Sequence, residues 1–474
     1  MTEPSPWPVD RLVAQLGRWS ASRGPLYLLL AARLRELIDS GLLPPRAMLP
    51  PDRTLAGRLA VGRSTVVAAY EQLRQDGKVD RHQGRGTWVK PAVLGEVRPN
   101  AVPPANSLFV NYLEPMGDVL SLACAAPQDR PPELTAALTR AIGRLPVGDI
   151  GYYPLGLPAL RDAIADRYCR QGLATTSDQI LVTTGGQQAL SLITQLFVAP
   201  GDHVVVQTPT YPGALELVRH TAAVVSPALA DDLTAVIAAS RPRLAYVNPT
   251  NHNPTGATMS ALVRRRLVES AGDTVLIDDE VLADLAFGGV RPPGLASFDH
   301  GRVLTVSSVT KLLWGGLRIG WIRGSVGDIA QLGRLKAIHD LGCAALEQLA
   351  VAGLLPSIES VVTARVAELR VRHDHLCAEL GKHLPSWSFE PADGGQCLWV
   401  RLPSGDASAF AQVALRHRVA VLPGSALGQW DSHLRIPFTA SVDELSLAVR
   451  RLAAAWHDYR PSTGPAPALH ALVV

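Results

Sequence analysis

Hydrophobic positions along the chain follow two periods. From residue 8 to about 77 they recur every three or four residues, the spacing of one buried helix face. Val9, Leu12, Val13 and Leu16, with Trp19 near the same stripe, predict a short amphipathic helix within residues 8–20 that packs on its neighbour. Leu26, Leu29, Leu30, Leu34, Leu37 and Ile38 predict a second helix from Pro25 to Leu42, stopped at Gly41. A third is predicted within Leu49–Leu59, with Asp52 as its N-cap. A fourth opens at Arg63-Ser64-Thr65 and runs through Val66, Val67, Tyr70 and Leu73 to Gly77. Val61-Gly62 supplies a tight turn between the last two. Two short helices across such a turn make a helix-turn-helix pattern. From Lys78 to Val89 the period changes to alternation about Gly84-Arg85-Gly86, which predicts a β-hairpin or wing.

Pro91 to Pro115 carries neither period and is rich in Pro, Asn and Val; residues 91–117 read as a semi-extended linker. Beyond Asp118 strands and helices alternate. Leu134–Leu145 and Pro158–Gln171 read as helices, and Ile180–Thr184 as a strand followed by a helix to Phe197. His203–Gln207, Leu244–Asn248, Thr274–Ile277 and Val303–Ser307 read as further strands. This alternation predicts an α/β body with a mostly parallel sheet between helices and ligands at the strands' C-terminal ends. The expected division is a head at 8–90, the linker, a body at 118–458 and a tail at 459–474. Within the body, 118–330 reads as a larger part and 331–458 as a smaller α+β part.

Composition narrows the class. A chain of 474 residues with 47% hydrophobic and 18% charged residues has material for two or three folded domains and is not a disordered chain. It holds no run of some 18 apolar residues and begins without a basic-then-apolar leader, so no membrane span is expected and a cytoplasmic setting is. Five cysteines (124, 169, 343, 377 and 397) stand without a CxxC pair, which argues against a metal site and a disulfide framework. The net charge of +3 is uneven: residues 21–91 hold 12 Lys/Arg against 6 Asp/Glu, a net of +6. Positive charge gathered on a helix-turn-helix is the footprint of a double-stranded DNA reader.

The body's candidate chemistry gathers around Lys311, in Ser308-Val309-Thr310-Lys311, which follows a strand. A lysine amine forms a Schiff base with an aldehyde, and a buried one loses charge more readily. Ser308 and Arg318 suit a phosphate dianion, and the amides of Gly185, Gly186 and Gln187, between a strand and a helix, can add to its cradle. Asp279 ends a strand and can hold a pyridine nitrogen protonated. Asn253, in Asn253-Pro254-Thr255-Gly256, can present an amide to a phenolic oxygen. Tyr211 can stack on a ring, and Arg435 can clamp an α-carboxylate. Together these are the needs of pyridoxal 5′-phosphate (PLP), an aldehyde with a phosphate, a ring nitrogen and a phenolic oxygen.

Two resemblances sharpen these readings. Leu49–Ala56, Gly62-Arg-Ser-Thr-Val66 and Gln83-Gly-Arg-Gly-Thr87 resemble the winged helix of GntR-type regulators. The resemblance implies that Arg53, Arg63, Ser64 and Thr65 face the major groove and phosphates, and that Gln83, Gly84 and Arg85 touch the minor groove. Arg58, Arg74 and Lys78 read equally well as solvated surface. Thr184–Gln188, Asn253–Gly256, Asp279-Glu280-Val281, Ser308–Lys311 with Arg318, and Arg435 resemble a fold-type I aminotransferase over about 118–458. That implies a Schiff base on Lys311 and the roles given above for the other residues. It also implies a homodimer whose partner lends a tyrosine near the phosphate, for which Tyr152 or Tyr153 stands available, Tyr153 being counted in the cofactor set.

One departure matters. The family usually places a tyrosine two or three residues after the pyridine aspartate, where this chain has Val281 and Leu282. With one phenolate donor fewer, cofactor binding is expected to persist while turnover weakens. Head and body together resemble the MocR subfamily of GntR-type regulators. This implies a PLP-dependent transcription regulator, tuned by PLP and an amino-acid-like effector; the alternative is an active aminotransferase carrying a DNA-binding head.

Overall fold

The computed structural model describes residues 7–21, 24–82, 86–90, 118–127, 129–145, 147–288, 291–298 and 301–460. The expected linker, residues 461–474 of the tail and the wing tip Gln83, Gly84 and Arg85 lie outside the described residues.

In the head, helices α1 (Val9–Leu16), α2 (Leu26–Asp39), α3 (Asp52–Arg58) and α4 (Arg63–Gln75) follow the helical period. Their stripes meet in one core, with Leu12, Leu16, Leu30, Leu34, Leu55, Val66 and Leu73 fully buried. Strands β2 (Val79–His82) and β3 (Gly86–Val89) form the wing, and a two-residue strand β1 (Met48–Leu49) pairs with β3. Asp52 is not the N-cap that the sequence suggested. It is the first residue of α3, after Pro51, and makes no capping bond. Its carboxylate turns outward instead, accepting from Arg63 Nε at 3.0 Å and lying 3.6 Å from Arg81.

The body holds two sheets. The seven-stranded sheet uses β5 (Ile180–Thr183), β6 (His203–Gln207), β7 (Val224–Ala228), β8 (Leu244–Val247), β9 (Val275–Asp279), β10 (Val303–Ser308) and β11 (Gly320–Arg323). Their order is β5-β11-β10-β9-β8-β6-β7, all parallel except β11 against its two neighbours. Strands β5, β8, β10 and β11 are buried at every residue, as a sheet covered by helices on both faces requires.

The five-stranded sheet runs β12 (Ser388–Phe389), β13 (Cys397–Arg401), β15 (His433–Pro437), β14 (Val419–Pro423), β4 (Leu120–Leu122). Sequence grouped β4 with the larger part; it instead extends this second sheet, parallel to β14. Tyr459, counted with the tail, is buried against the body, and its hydroxyl accepts from Asp406 N at 2.9 Å.

The consecutive helices from Ala345 to His383 reach the length and apolar composition of a membrane span. Their apolar residues Leu354, Ile358, Val361, Leu369, Leu376 and Leu380 lie in the body's core.

Candidate functional site

A cavity of about 470 Å³ opens where the C-terminal ends of β8, β9 and β10 meet the second sheet. It is lined by Gly186, Gln187, Tyr211, Asn253, Asp279, Ser308, Lys311, Arg318 and Arg435. Residues that sequence drew from separate stretches therefore converge on one space. Gly185 adjoins it and Tyr153 does not. The Tyr153 hydroxyl instead donates to the Asp149 carboxylate on the surface of its own chain.

Lys311 follows β10 and lines the cavity, while Leu312 and Leu313 after it pack into the core. Burial lowers the ammonium pKa from its ordinary value, and the Arg435 charge works in the same direction. Its Nζ donates to Ala125 O at 2.5 Å. Asp279 ends β9 and is buried, which raises its carboxyl pKa. Two hydrogen bonds oppose that rise: Tyr246 Oη donates to Oδ2 at 2.5 Å and Val281 N to Oδ1 at 3.0 Å. Tyr246 on β8 is a residue that sequence reasoning missed. Its signal was weak, a lone tyrosine in a buried strand two positions from Asn248.

Arg318 holds a left-handed backbone, φ 52°, and donates to Thr184 O at 2.5 Å. Gly185 (φ 99°) faces it so closely that a Cβ there would stand 2.9 Å from Arg318 Nη2. The glycine thus keeps open the junction between β5 and the helix Gly186–Phe197, whose first amides point at the cavity as an anion cradle. Ser308 Oγ bonds Thr310 Oγ1 at 2.7 Å, and Thr310 lines the cavity too. Asn253 Oδ1 accepts from Arg435 Nη1 at 3.4 Å, and the Asn253 backbone N–H donates to Asn248 Oδ1 at 2.7 Å. Tyr211 caps the helix Pro212–His220 and its phenol is pushed up to about 12 by burial. Val281 and Leu282 line the wall where the family's tyrosine was missing, and they bring only hydrocarbon.

This donor set fits PLP. The cavity joins one half-buried amine, one buried carboxylate, a cationic and amide-rich corner and a phenol. Gln187 Oε1, Gln396 Oε1 and Arg435 Nε are buried on its walls with hydrogen-bonding capacity unused, which a polar ligand can satisfy. Cys124 and Cys397, which sequence left as scattered thiols, line the same space.

In the head, Arg53, Arg63 and Ser64 are exposed and Thr65 is half-buried, all on the solvent side of α3 and the start of α4. Hydrogen bonding from Arg63 holds the Asp52 carboxyl below its ordinary range, against the opposing effect of partial burial. Arg74 pairs with Glu71, Lys78 with Asp39, and Arg58 with Asp10 and Asp406.

Residues 128–452 match the profile described as "Aminotransferase class I and II". The chain belongs to the class I and II aminotransferase family. Residues 26–89 match "Bacterial regulatory proteins, gntR family", and this head on this body is the layout of the MocR subfamily. The HTH-type transcriptional regulator TauR of Rhodobacter capsulatus is 28% identical, over 83% of this chain and 88% of its own. An uncharacterised HTH-type transcriptional regulator of Escherichia coli, YdcR, is 29% identical, over 84% and 91%. Among solved structures, the α-aminoadipate aminotransferase LysN of Thermus thermophilus, complexed with N-(5′-phosphopyridoxyl)-L-leucine, is similar with a TM-score of 0.67 and 27% identity. That likeness spans 72% of this chain and 93% of LysN.

Proposed function

We propose that this chain is a cytoplasmic, homodimeric transcription regulator that binds double-stranded promoter DNA and responds to PLP and an amino-acid-like effector. One observation carries the reading: a single chain joins a gntR-type head to a cavity in which a half-buried lysine, a buried aspartate and an arginine-flanked amide cradle meet. Relatives that match most of the chain, TauR and YdcR, are named as transcriptional regulators.

When bound, PLP supplies an aldehyde and an electron-withdrawing ring. Lys311 would hold the aldehyde carbon. Arg318, Ser308 and the amides of Gly185, Gly186 and Gln187 would hold the phosphate. Asp279, whose carboxylate form Tyr246 favours by donating a hydrogen bond, would hold a proton on the ring nitrogen, with Tyr211 stacked on the ring and Asn253 at the phenolic oxygen. Arg435 would take the effector's carboxylate. Tyr153 of the same chain stands apart from the cavity, so its role would be in the partner's site. In the head, Arg53, Arg63, Ser64 and Thr65 would meet the major groove, and Gln83, Gly84 and Arg85 the minor groove.

The test is binding to DNA from upstream of the chain's own gene, at fixed salt because phosphate contacts dominate affinity, with and without PLP. The expected result is specific binding whose strength depends on PLP. A colourless protein that takes up no PLP would overturn the cofactor half of the reading. Sustained transamination of a keto acid would favour the alternative, an aminotransferase carrying a DNA-binding head. The hydrocarbon of Val281 and Leu282, in place of a phenolate donor, argues for weak turnover.

A further inference from the structure

One short stretch, residues 118–126, is held at both ends, and the two ends belong to different tasks. At its inner end Arg435 Nη2 donates to Ala123 O at 2.5 Å and Lys311 Nζ to Ala125 O at 2.5 Å. The two cations proposed to receive effector and cofactor therefore also grip the carbonyls of this stretch.

At its outer end β4 runs beside β14, Leu120 opposite Val419 and Leu122 opposite Val421. Asp118 pairs with Arg418 at 3.0 Å, and Arg451 bridges the carbonyls of Asp118 (3.4 Å) and Arg418 (3.1 Å). This corner is where the head sits. Arg418 also donates to Ala21 O at 3.3 Å. Arg416 donates to Ala60 O at 2.9 Å and Leu59 O at 3.5 Å, the carbonyls of the turn between α3 and α4. Arg58, the last residue of α3, pairs with Asp406. The contact has an apolar side as well: Val119, Leu415 and Ala420 form a small buried cluster against Ala21, and Ala60 packs on the body's core.

Ligand chemistry acts directly on the inner grip. A carboxylate outcompetes the neutral Ala123 carbonyl for Arg435 because charge-assisted bonds are roughly twice as strong. Condensation of the Lys311 amine with an aldehyde forms a C=N bond and releases water, which carries off both of the amine's hydrogens and leaves the nitrogen at most one proton. Ala125 O then loses a donor. Both events loosen the same stretch, whose next strand flanks the head's seat.

We infer that the corner formed by Asp406, Arg416 and Arg418 is a docking surface for the helix-turn-helix turn, and that residues 118–126 are the strap by which ligation at Lys311 and Arg435 weakens that docking. The ligand has differential affinity for the undocked arrangement, so the head no longer held in one orientation on the body, and free to meet the spacing that DNA sets, gains population. This rests on the reading of the cavity as a PLP site.

The test measures DNA affinity at fixed salt for the full chain and for Arg416→Ala, each with and without PLP plus a panel of amino acids. Visible absorbance reports cofactor uptake, and hydrogen exchange is followed at residues 120–122. The parent is expected to gain DNA affinity by about fivefold or more on ligation, with faster exchange in β4. Arg416→Ala is expected to take up PLP as the parent does, to bind DNA as tightly as the ligated parent and to respond to ligand by a ratio near one. Asp406→Asn, which can keep the cap on the helix Ala407–Arg416 while weakening the Arg58 pair, is expected to move the same way. A full ligand response in both variants, or unchanged exchange in β4 when the absorbance shows PLP bound, would overturn the strap. Absence of the absorbance in the parent would overturn the PLP reading and the strap with it.

Discussion

At the scale of single residues, the site depends on burial opposing charge. Asp279 is buried and Lys311 half-buried, and loss of solvent favours the neutral form of each. The lysine benefits, since a neutral amine is the nucleophile. The aspartate does not, since only the ionised carboxylate can hold a proton on a pyridine nitrogen, and Tyr246 offsets that cost with a short hydrogen bond. Lys311→Ala is expected to abolish the visible band of covalently held PLP while the fold survives; a persisting band that borohydride fixes to the chain would assign the Schiff base to another lysine. Arg318→Ala is expected to weaken PLP binding by about 1.5–3 kcal/mol, the range for hydrogen bonds to charged groups, read from a spectrophotometric titration. An unchanged titration would mean that Ser308 and the amides of Gly185, Gly186 and Gln187 hold the phosphate without Arg318.

At the scale of elements, β9 is the most informative strand. Its side chains alternate, so Asp279 faces the cavity while Asp278 faces away, accepting from Leu295 N at 2.8 Å. Burial, reinforced by the neighbouring Glu280 charge, pushes the Asp278 carboxyl up to about 8. The unfolded chain would ionise it at about 3.9. Between those values the folded state binds more protons than the unfolded one, so this group's contribution is full below about pH 4 and is lost as pH rises through the folded value. Asp278→Asn is therefore expected to flatten the fall of thermal stability with pH up to about 8; parallel curves for parent and variant would show that Asp278 ionises normally.

The same strand shows what residue pattern could and could not convey. Periodicity located β6 to the residue and β5, β8, β9 and β10 to within a few positions, because buried parallel strands are short apolar runs. It put Lys311, Asp279, Asn253 and Arg318 at strand ends, hence near one another. It could not find β4 in the second sheet, since three residues carry no period and their partner lies some 300 positions away. Nor could it find Tyr246, whose importance comes from its neighbour on the adjacent strand. Asp52 misled it for a different reason: Asp is a common N-cap, but here Pro51 already fixes the helix start and Arg63 and Arg81 draw the carboxylate outward.

That carboxylate also bears on α4. Asp52 holds the Arg63 guanidinium at the helix start, where a base edge could receive it. Arg63→Ala is expected to weaken specific DNA binding by about 1–3 kcal/mol and to relax preference at one base pair if it reads a base. An equal loss on specific and random duplexes would assign Arg63 to phosphate contact alone.

At the scale of the whole molecule, the question is how a head of net charge +6 over residues 21–91 on a body without such excess finds one site on DNA. A single small head binds through few contacts, and two heads on one dimer multiply them. The body carries a candidate contact for that dimer. Ile142, Leu145, Val147, Ile150 and Tyr152 are exposed within eleven residues, with Val147 and Ile150 more than four-fifths exposed. A cluster of apolar side chains in water marks an association surface, and Tyr153 beside it is the residue the partner's cavity would receive. Val147→Asp with Ile150→Asp is expected to convert dimer to monomer in sedimentation and to leave binding to a lone half-site intact. Binding to a two-half-site operator should then lose its cooperativity, and its dependence on half-site spacing in steps of roughly 10 base pairs should vanish. Were the double variant still dimeric, the exposed run would not be the contact. Were it monomeric yet fully cooperative on DNA, the heads themselves, and not the bodies, would hold the two copies together.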